Sequence, residues 1–518
     1  MVKKNEKGVA LILTLILLAV LSVMAVSLLF MAQAETWSGM NYRMMTQARY
    51  GAEAGVHSAA NFIQSTAYTP PTAAQIAANF NTSATPVTYG SGAATLSANS
   101  SLGSTNYPIS SDVSGFSSNA TGSLTAGNTT VNYGAYARLL AVQSFTTYPS
   151  TLPGVVEKWE ITSDGTINGV RNAKVRVSAI MERQKNPSFA YAAFATAATC
   201  SALSFGGGGT TNSYDSSAIS YDSKGNVVTQ AYGGNVGTNG NLDMSGSKTT
   251  INGSLSTPRA GTGTCSTSTV TALSANGNAT VTGGITELPQ NVSYDTPPAP
   301  SPAPPTTSMD IKKSASCPIS TNCTASGSIT QIYGDGTASG VGSSSNPILL
   351  GNVSMNAQAD LHFAVADCST AGTPVYININ TISTNGNSTI TIDPIKCGGT
   401  TTTTYPQIIL NFAGAGSTTP IDLTGSSLTN PTLNPAYFQM LYAGTGQVTL
   451  NGGSAAAGLL YAPNASFKLN GGGDWYGAVV AQQITDLGGG AIHYDRRLQK
   501  EFYQLGKYML SSFNWQKY

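Results

Sequence analysis

Carboxylates, histidines and cysteines are the side chains here that could do chemistry, and each group has to be weighed against an ordinary structural use. Asp393, Asp474, Asp486 and Asp495 lie in the later part of the chain. Grouped on one face of a sheet, a pair of such acids would cleave a polysaccharide. Each instead stands beside Gly, Pro or a chain turn, positions that Asp takes for conformational reasons, so turn chemistry is the better reading. Glu53 and His57 are one helical turn apart and read as an exposed helical pair. Tyr214-Asp215-Ser216 and its near copy Tyr221-Asp222-Ser223 offer oxygens to calcium but lack a full ligand loop. No catalytic residue, metal site or cofactor is expected, and the chain reads as non-enzymatic.

The elements that would position these groups begin with an apolar stretch. Lys3, Lys4 and Lys7 precede 26 uncharged residues, Val9 to Ala34, before Glu35 appears. As a helix at ~1.5 Å per residue this stretch spans roughly 39 Å, against about 30 Å of bilayer hydrocarbon. The lysines keep its short leading end in the cytoplasm, so the expectation is a single pass with the C-terminus outside. From Glu35 to about Gln64 no proline intervenes, and Met40, Met44, Ala48, Ala52 and Val56 recur every four residues, as on one face of a continuing helix.

Two pieces of this region carry a resemblance. Lys7-Gly8-Val9-Ala10 resembles the cleavage site of type IV prepilins. Asn41-Tyr42-Arg43 followed by Ala48-Arg49-Tyr50-Gly51-Ala52-Glu53-Ala54-Gly55 resembles the end of the PilX N-terminal domain of minor pilins. The likeness covers about the first 65 residues. It implies a leader over residues 1–8, cut between Gly8 and Val9 by prepilin peptidase, with Val9 as the methylated mature N-terminus. It also implies packing of the N-terminal helix against other pilins, major and minor, after a stay in the lipid of the inner membrane. The family usually carries Glu five residues into the mature chain, where this sequence has Leu13. Minor pilins of the PilX type and tip pseudopilins of type II secretion tolerate that loss, which points away from a major, filament-building subunit.

Composition bounds the remainder. Only 9% of residues are charged, the net charge is +1, and 56 glycines are present, which excludes a nucleic-acid binder. With 41% hydrophobic residues and 24 tyrosines the chain is not disordered in bulk. Residues 65–128 are Ser/Thr/Gly/Asn-rich and read as loop. Val155 to Thr162 and Ala173 to Met181 read as strands, Val175, Val177 and Ala179 facing inward, with Asp164-Gly165 as a turn between them.

From residue 187 short strands alternate with Asn-Gly and Gly-Gly. Val448-Thr449-Leu450-Asn451-Gly452-Gly453 recurs 19 residues on as Phe467-Lys468-Leu469-Asn470-Gly471-Gly472, and Gly458-Leu459-Leu460-Tyr461-Ala462 recurs at the same offset from Gly477. A constant offset means stacked rungs. The stretch Leu459 to Ala465 with Asp474 to Gly477 resembles the C-terminal solenoid domain of other large PilX-like surface proteins.

The expected organisation is a leader over 1–8, a transmembrane pilin helix over 9–65 and a pilin-like α+β region with a loop-rich insert over 66–186. A β-solenoid-like segment over 187–295 follows, then a Pro-rich linker over 296–308, a C-terminal β-solenoid domain over 309–495 and a capping helix over 496–518. That last helix rests on Leu498, Phe502, Leu505, Met509 and Phe513 at intervals of three or four. The fold class is thus a long N-terminal transmembrane α-helix with a pilin-like α+β region, mainly-β domains of right-handed parallel β-helix type, and a C-terminal helix.

Cys200, Cys265, Cys317, Cys323, Cys368 and Cys397 all fall on the exported side, an even number that favours disulfides. Of the pairings open to six cysteines, neighbours in sequence are preferred: Cys317 with Cys323, Cys368 with Cys397, and Cys200 with Cys265. No Cys-x-x-Cys occurs and the three histidines are scattered, so zinc is disfavoured. The functional expectation is a minor pilin at or near the tip of a type IV pilus, its solenoid presented at the cell surface for adhesion or aggregation. Tyr461, Trp475 and Tyr476 are candidate exposed aromatics for a surface glycan or another host or cell ligand. The alternatives are a tip pseudopilin of type II secretion and a membrane-tethered carbohydrate-active β-helix protein.

Overall fold

The computed structural model describes residues 7–126, 129–150, 152–169, 172–314, 316–356, 358–369, 374–451 and 456–517. Residues 1–6 of the expected leader, and Gly452 and Gly453 of the repeated motif, lie outside the described residues. The chain forms two compact units. One comprises Met1–Thr146, Pro153–Lys185 and Leu505–Tyr518, the other Thr147–Leu152 and Asn186–Gln504.

Helix α1 (Lys7–Gln64) opens the first unit. Its second half lies on a sheet whose strand order is Tyr503–Lys517, Ala173–Pro187, Pro153–Ile167, Thr129–Thr146 and Thr95–Ser97, with Thr121–Ala126 also paired to Thr129–Thr146. Ala48, Ala52, Val56, Ala59, Ala60 and Ile63 are buried from the helix side, and Trp159, Ile161, Val175, Val177, Ala179 and Met181 from the sheet. Small side chains let the two backbones come close. A Cβ on Gly165 would collide with the Ala48 carbonyl and the Ala52 amide, and one on Gly51 with Val131. Gly165 is therefore no turn: Asp164 and Gly165 sit inside the strand Pro153–Ile167. Its neighbour Asp164 accepts two bonds from Arg176, at 2.6 and 2.8 Å, and pairs with Lys174 at 2.9 Å. Those cations outweigh burial and hold its carboxyl below the usual range.

Two further expectations change. The segment read as loop holds the helices Ala73–Asn79 and Ser110–Asn119 and the strand Thr121–Ala126, with Phe116 buried among Phe62 and its neighbours. Its capping box, Thr72 with Gln75, was a short local signal inside a polar stretch. The capping helix over 496–518 is absent. Arg496–Lys500 is a single 3-10 turn, and Tyr503–Lys517 is a strand. The three-and-four spacing was accidental: Met509 and Phe513 stay exposed, while Tyr508 and Leu510 point to the core in the alternation of a strand. Aromatic-rich sequence favours that state, and Ala173–Pro187 offers the edge to pair with.

Glu157 ties this unit together. It is buried, accepting from the Tyr68 hydroxyl at 2.6 Å and the Tyr508 hydroxyl at 2.8 Å. Burial pushes its carboxyl up from 4.5, and the tyrosine bonds only partly offset this.

The second unit is mostly one parallel sheet. Ala193–Ala195, Leu203–Phe205 and Thr210–Tyr214 pair with Val236–Thr238, Leu242–Met244 and Thr250–Ile251. These pair in turn with Leu255–Thr257, Leu273–Ala275 and Thr280–Val281, and Ile285–Glu287 follows. On their other side the first three strands pair with Asp474–Asp486 and Ala491–Asp495. Sequence-distant halves thus join in the middle of one stack. The stack continues through Ala457–Asn470 to Ser308–Ile311. The offset of 19 is its register: Val448 pairs with Phe467 and Gly458 with Gly477. Gly477, at φ +142°, leaves no room for a Cβ against the Gly458 carbonyl.

Six strands, Pro374–Thr384, Gln407–Phe412, Phe438–Tyr442, Ala457–Asn470, Val448–Asn451 and Ile421–Leu423, pair in a closed parallel ring. The ring closes because the long strands Pro374–Thr384 and Ala457–Asn470 each pair along two neighbours. Residues 296–307, without regular structure, carry the chain from one end of the stack to the other. Asn378 and Asn352 donate to the Pro302 and Thr306 carbonyls at 2.8 and 2.7 Å, and Tyr461 to the Asp295 carbonyl at 2.8 Å.

Replacing Gly165 with Val should destabilise the first unit by about 2 kcal/mol or more, since backbone must move. Gly39→Ala, where the backbone is helical and a Cβ meets open space, is the tolerated comparison. Thermal melts of both variants decide this, and equal midpoints would refute the close approach. A carboxyl raised on folding stabilises fully below its unfolded value and loses that contribution as pH rises through its folded value. The midpoint of Glu157→Gln relative to wild type should therefore climb as pH increases above 4.5. A difference flat from pH 4 to pH 8 would contradict the buried carboxylate.

Candidate functional site

The exposed half of α1 is the most distinctive surface. Its 18-residue windows reach a mean hydropathy of 3.0 with none of the window buried, long and apolar enough to cross a membrane. The hydroxyls in it are satisfied internally: Thr14, Ser22 and Ser27 donate to the Leu11, Leu18 and Val23 carbonyls at 2.6 to 2.9 Å. Val9 and Leu13 are both exposed on this surface, 61% and 62%. Such a surface performs no chemistry. It can only be covered, by lipid or by other apolar helices. Gly8 lies within the helix just before it. Further along, Glu53 pairs with Arg49 at 2.7 Å rather than with His57, whose ring rests 6.0 Å from that of Phe513.

The acids considered for catalysis are dispersed among separate structural tasks. Asp393 binds His362 at 2.7 Å, and although burial opposes it, the bonds from His362 and Gln331 hold its carboxyl below the ordinary range. Asp474 faces His493 at 3.4 Å. Asp495 caps the 3-10 turn by accepting from the Arg497 amide. Asp486 is fully buried beside Gly209 and Gly490, and burial pushes it up to about 7. Asp215 and Asp222 close local turns, accepting from the Ser217 amide and from the Lys224 and Asn226 amides. Among the described residues no group of three or more His, Cys, Asp or Glu is placed to hold a metal ion.

The cysteines are bonded as Cys200 to Cys265, Cys317 to Cys323 and Cys368 to Cys397. The candidate surface aromatics, by contrast, are core residues. Tyr461 packs against Tyr148 and Phe189 and donates to the Asp295 carbonyl. Trp475 is 1% exposed, and Tyr476 lies between Tyr214 and His493. Their bulk fills the stack, and no ring of the three is offered to a ligand.

The outward face of the stack carried no obvious motif in sequence. Successive strands contribute apolar-polar-apolar triplets such as Val448-Thr449-Leu450, Phe467-Lys468-Leu469, Leu203-Ser204-Phe205 and Leu242-Asp243-Met244, with the outer two residues inward. The middle residues stand in register. Asp310 leads to Ser354, Ser383 and Asp422, and that series runs on through Thr449, which is itself buried, then Lys468 and Thr485 to Ser204, Asp243 and Ser274. At ~4.8 Å per step this ladder is roughly 43 Å long. The repeating triplet was its only signal.

Comparison with known proteins adds family likeness at two places. Residues 7–57 match the family model described as PilX N-terminal, and residues 366–501 match one described as a domain of unknown function, DUF7305. No curated protein matches the chain. Among solved structures, the competence-associated pilin ComZ from Thermus thermophilus is similar at 13% identity over 92% of this chain and 98% of that one, with a TM-score of 0.22. The exposed apolar part of α1 and the start of its small-residue seat on the sheet fall within residues 7–57, the segment that is similar to the PilX N-terminal family.

Proposed function

We propose that this protein is a non-enzymatic minor pilin, held in the inner membrane by the apolar part of α1 before incorporation at or near the tip of a type IV pilus. One observation carries the reading. The first half of α1 is apolar and uncovered over several turns, and it continues without a break into a helix seated on a sheet. In a filament that surface would be buried by the helices of other pilins. Leu13 stands where the family's usual carboxylate would meet a neighbour's N-terminal amine, which suits a subunit with no partner above it. Prepilin peptidase would cut between Gly8 and Val9, leaving the rest of the chain outside the membrane.

The second unit is read as a β-solenoid displayed for adhesion or aggregation. Its parallel register from rung to rung and its three disulfides suit an extracellular, mechanically exposed surface. The first unit holds the anchoring helix and the second the display surface, so each task can be removed separately.

Mass spectrometry of the N-terminus in sheared filaments and in membranes should find a methylated Val9 in the filaments. Gly8→Val should leave the chain uncut and confined to membranes. A wild-type chain beginning at Met1 in every fraction would sink the pilin reading. Excising Asn186–Gln504 and joining Lys185 to Leu505 by a short linker should preserve piliation and abolish adhesion. Truncation after residue 185 is the wrong variant, since it also strips the edge strand from the first unit. Loss of protein secretion with normal piliation on gene deletion would favour a secretion pseudopilin instead.

A further inference from the structure

One end of the outward ladder enters a cavity of about 580 Å³. Asp243, Ser274 and Asn276 line it from the sheet side, beside the apolar Leu273 and Ala275, and Ser201 and the segment Thr262 to Cys265 line it opposite the strands. The Cys200–Cys265 disulfide fixes that wall, and the Ser274 hydroxyl holds it by donating to the Gly263 carbonyl at 2.8 Å. Within the cavity, Asp243 accepts from the Ser201 hydroxyl at 3.2 Å, and among the described residues it forms no ion pair. A volume of this size falls within the ~300–1,000 Å³ usual for ligand sites.

We propose that this cavity and the ladder leading into it form a binding track for a neutral polysaccharide chain. The inference rests on the adhesive reading of the second unit and names its ligand class. Hydroxyls, one primary amide and isolated carboxylates are the partners that sugar hydroxyls take, each able to bond without neutralising a charge. Charge selects against polyanions: Asp310, Asp422 and Asp243 stand on the track against a single cation, Lys468. Every position of the ladder from Asp310 to Ser274 is polar, and the apolar lining of the cavity is confined to Leu273 and Ala275, too little for a lipid or protein partner. Its repeat of ~4.8 Å, imposed by strand pairing, is close to the length of one sugar residue in an extended chain, so a few successive residues at a time can meet successive rungs. Parallel strands and a disulfide-fixed wall hold these groups in place before binding, which limits the ordering cost.

The test uses the full-length chain in detergent micelles, with immobilised cello-oligosaccharides, fully N-acetylated chito-oligosaccharides and malto-oligosaccharides as neutral probes and heparin and polygalacturonate as anionic ones. Retention is expected on at least one neutral probe and on neither polyanion. Asp243→Ala in the cavity and Thr485→Arg on the ladder should each weaken that retention about tenfold, the loss of one or two hydrogen bonds to the ligand. Ser427→Arg, on a separate sheet of the same unit, should leave it unchanged. Melting temperatures equal to wild type in all three variants show that folding is intact; where Thr485→Arg melts early, Thr485→Lys replaces it. Wild-type protein retained on no neutral probe, or retention untouched by both track variants, overturns the proposal. Filaments that adhere through the second unit without binding any neutral glycan overturn the track alone. Filaments whose adhesion survives excision of Asn186–Gln504 overturn the adhesive reading on which it rests.

Discussion

The edge of the Ala173–Pro187 strand is the constraint on which the rest of the arrangement depends. A strand edge left open is a row of unpaired amides and carbonyls, prone to pair with whatever arrives. Here it is closed by Tyr503–Lys517, from beyond a unit of some three hundred residues. Arg183 donating to the Gly506 carbonyl at 2.9 Å, and Tyr508 reaching Glu157, fasten that closure with partly buried polar bonds. Both ends of the second unit therefore join the first at neighbouring strands. In chain order the second unit is an insertion within the first rather than an appendage after it.

The second unit meets a related demand by a different route. A parallel strand satisfies its backbone groups only through the strands beside it, so each strand of the sheet and of its closed ring depends on its neighbours. The stack is assembled from two stretches of chain whose meeting point is the pairing of residues 193–214 with residues 474–495. Neither stretch alone covers both faces of those central rungs. The proline segment makes this possible, because it returns the chain along the stack without needing strand partners of its own, and asparagine side chains take up its carbonyls.

What could be read from the sequence followed how local the encoding was. Helix α1 was legible because an unbroken apolar run and a four-residue recurrence of small side chains are properties of neighbouring residues. The register of the rungs was legible where a copy lay nearby, as between Leu450 and Leu469. Gly165 was misread as a turn because its reason for being glycine, the Ala48 carbonyl pressed against it, lies more than a hundred residues away. The final strand was misread for the same cause: its partner is distant, and its apolar residues fit two periods. Tyr461, Trp475 and Tyr476 looked available because sequence cannot tell an aromatic filling a rung from one facing outward. The ladder from Asp310 to Ser274 was hidden by chain order, since its rungs are not consecutive in sequence.

The late position of Tyr503–Lys517 gives the fold a property in time. The ribosome must pass residue 504 before the sheet beneath α1 can be completed, so every intermediate length of chain carries α1 on an unfinished sheet. Completion of the first unit thereby reports that the whole insert has been made. A shortened product, however well its rungs stack, would present an open edge where a finished molecule presents a closed one, and the two are distinguishable by anything that recognises unpaired strands.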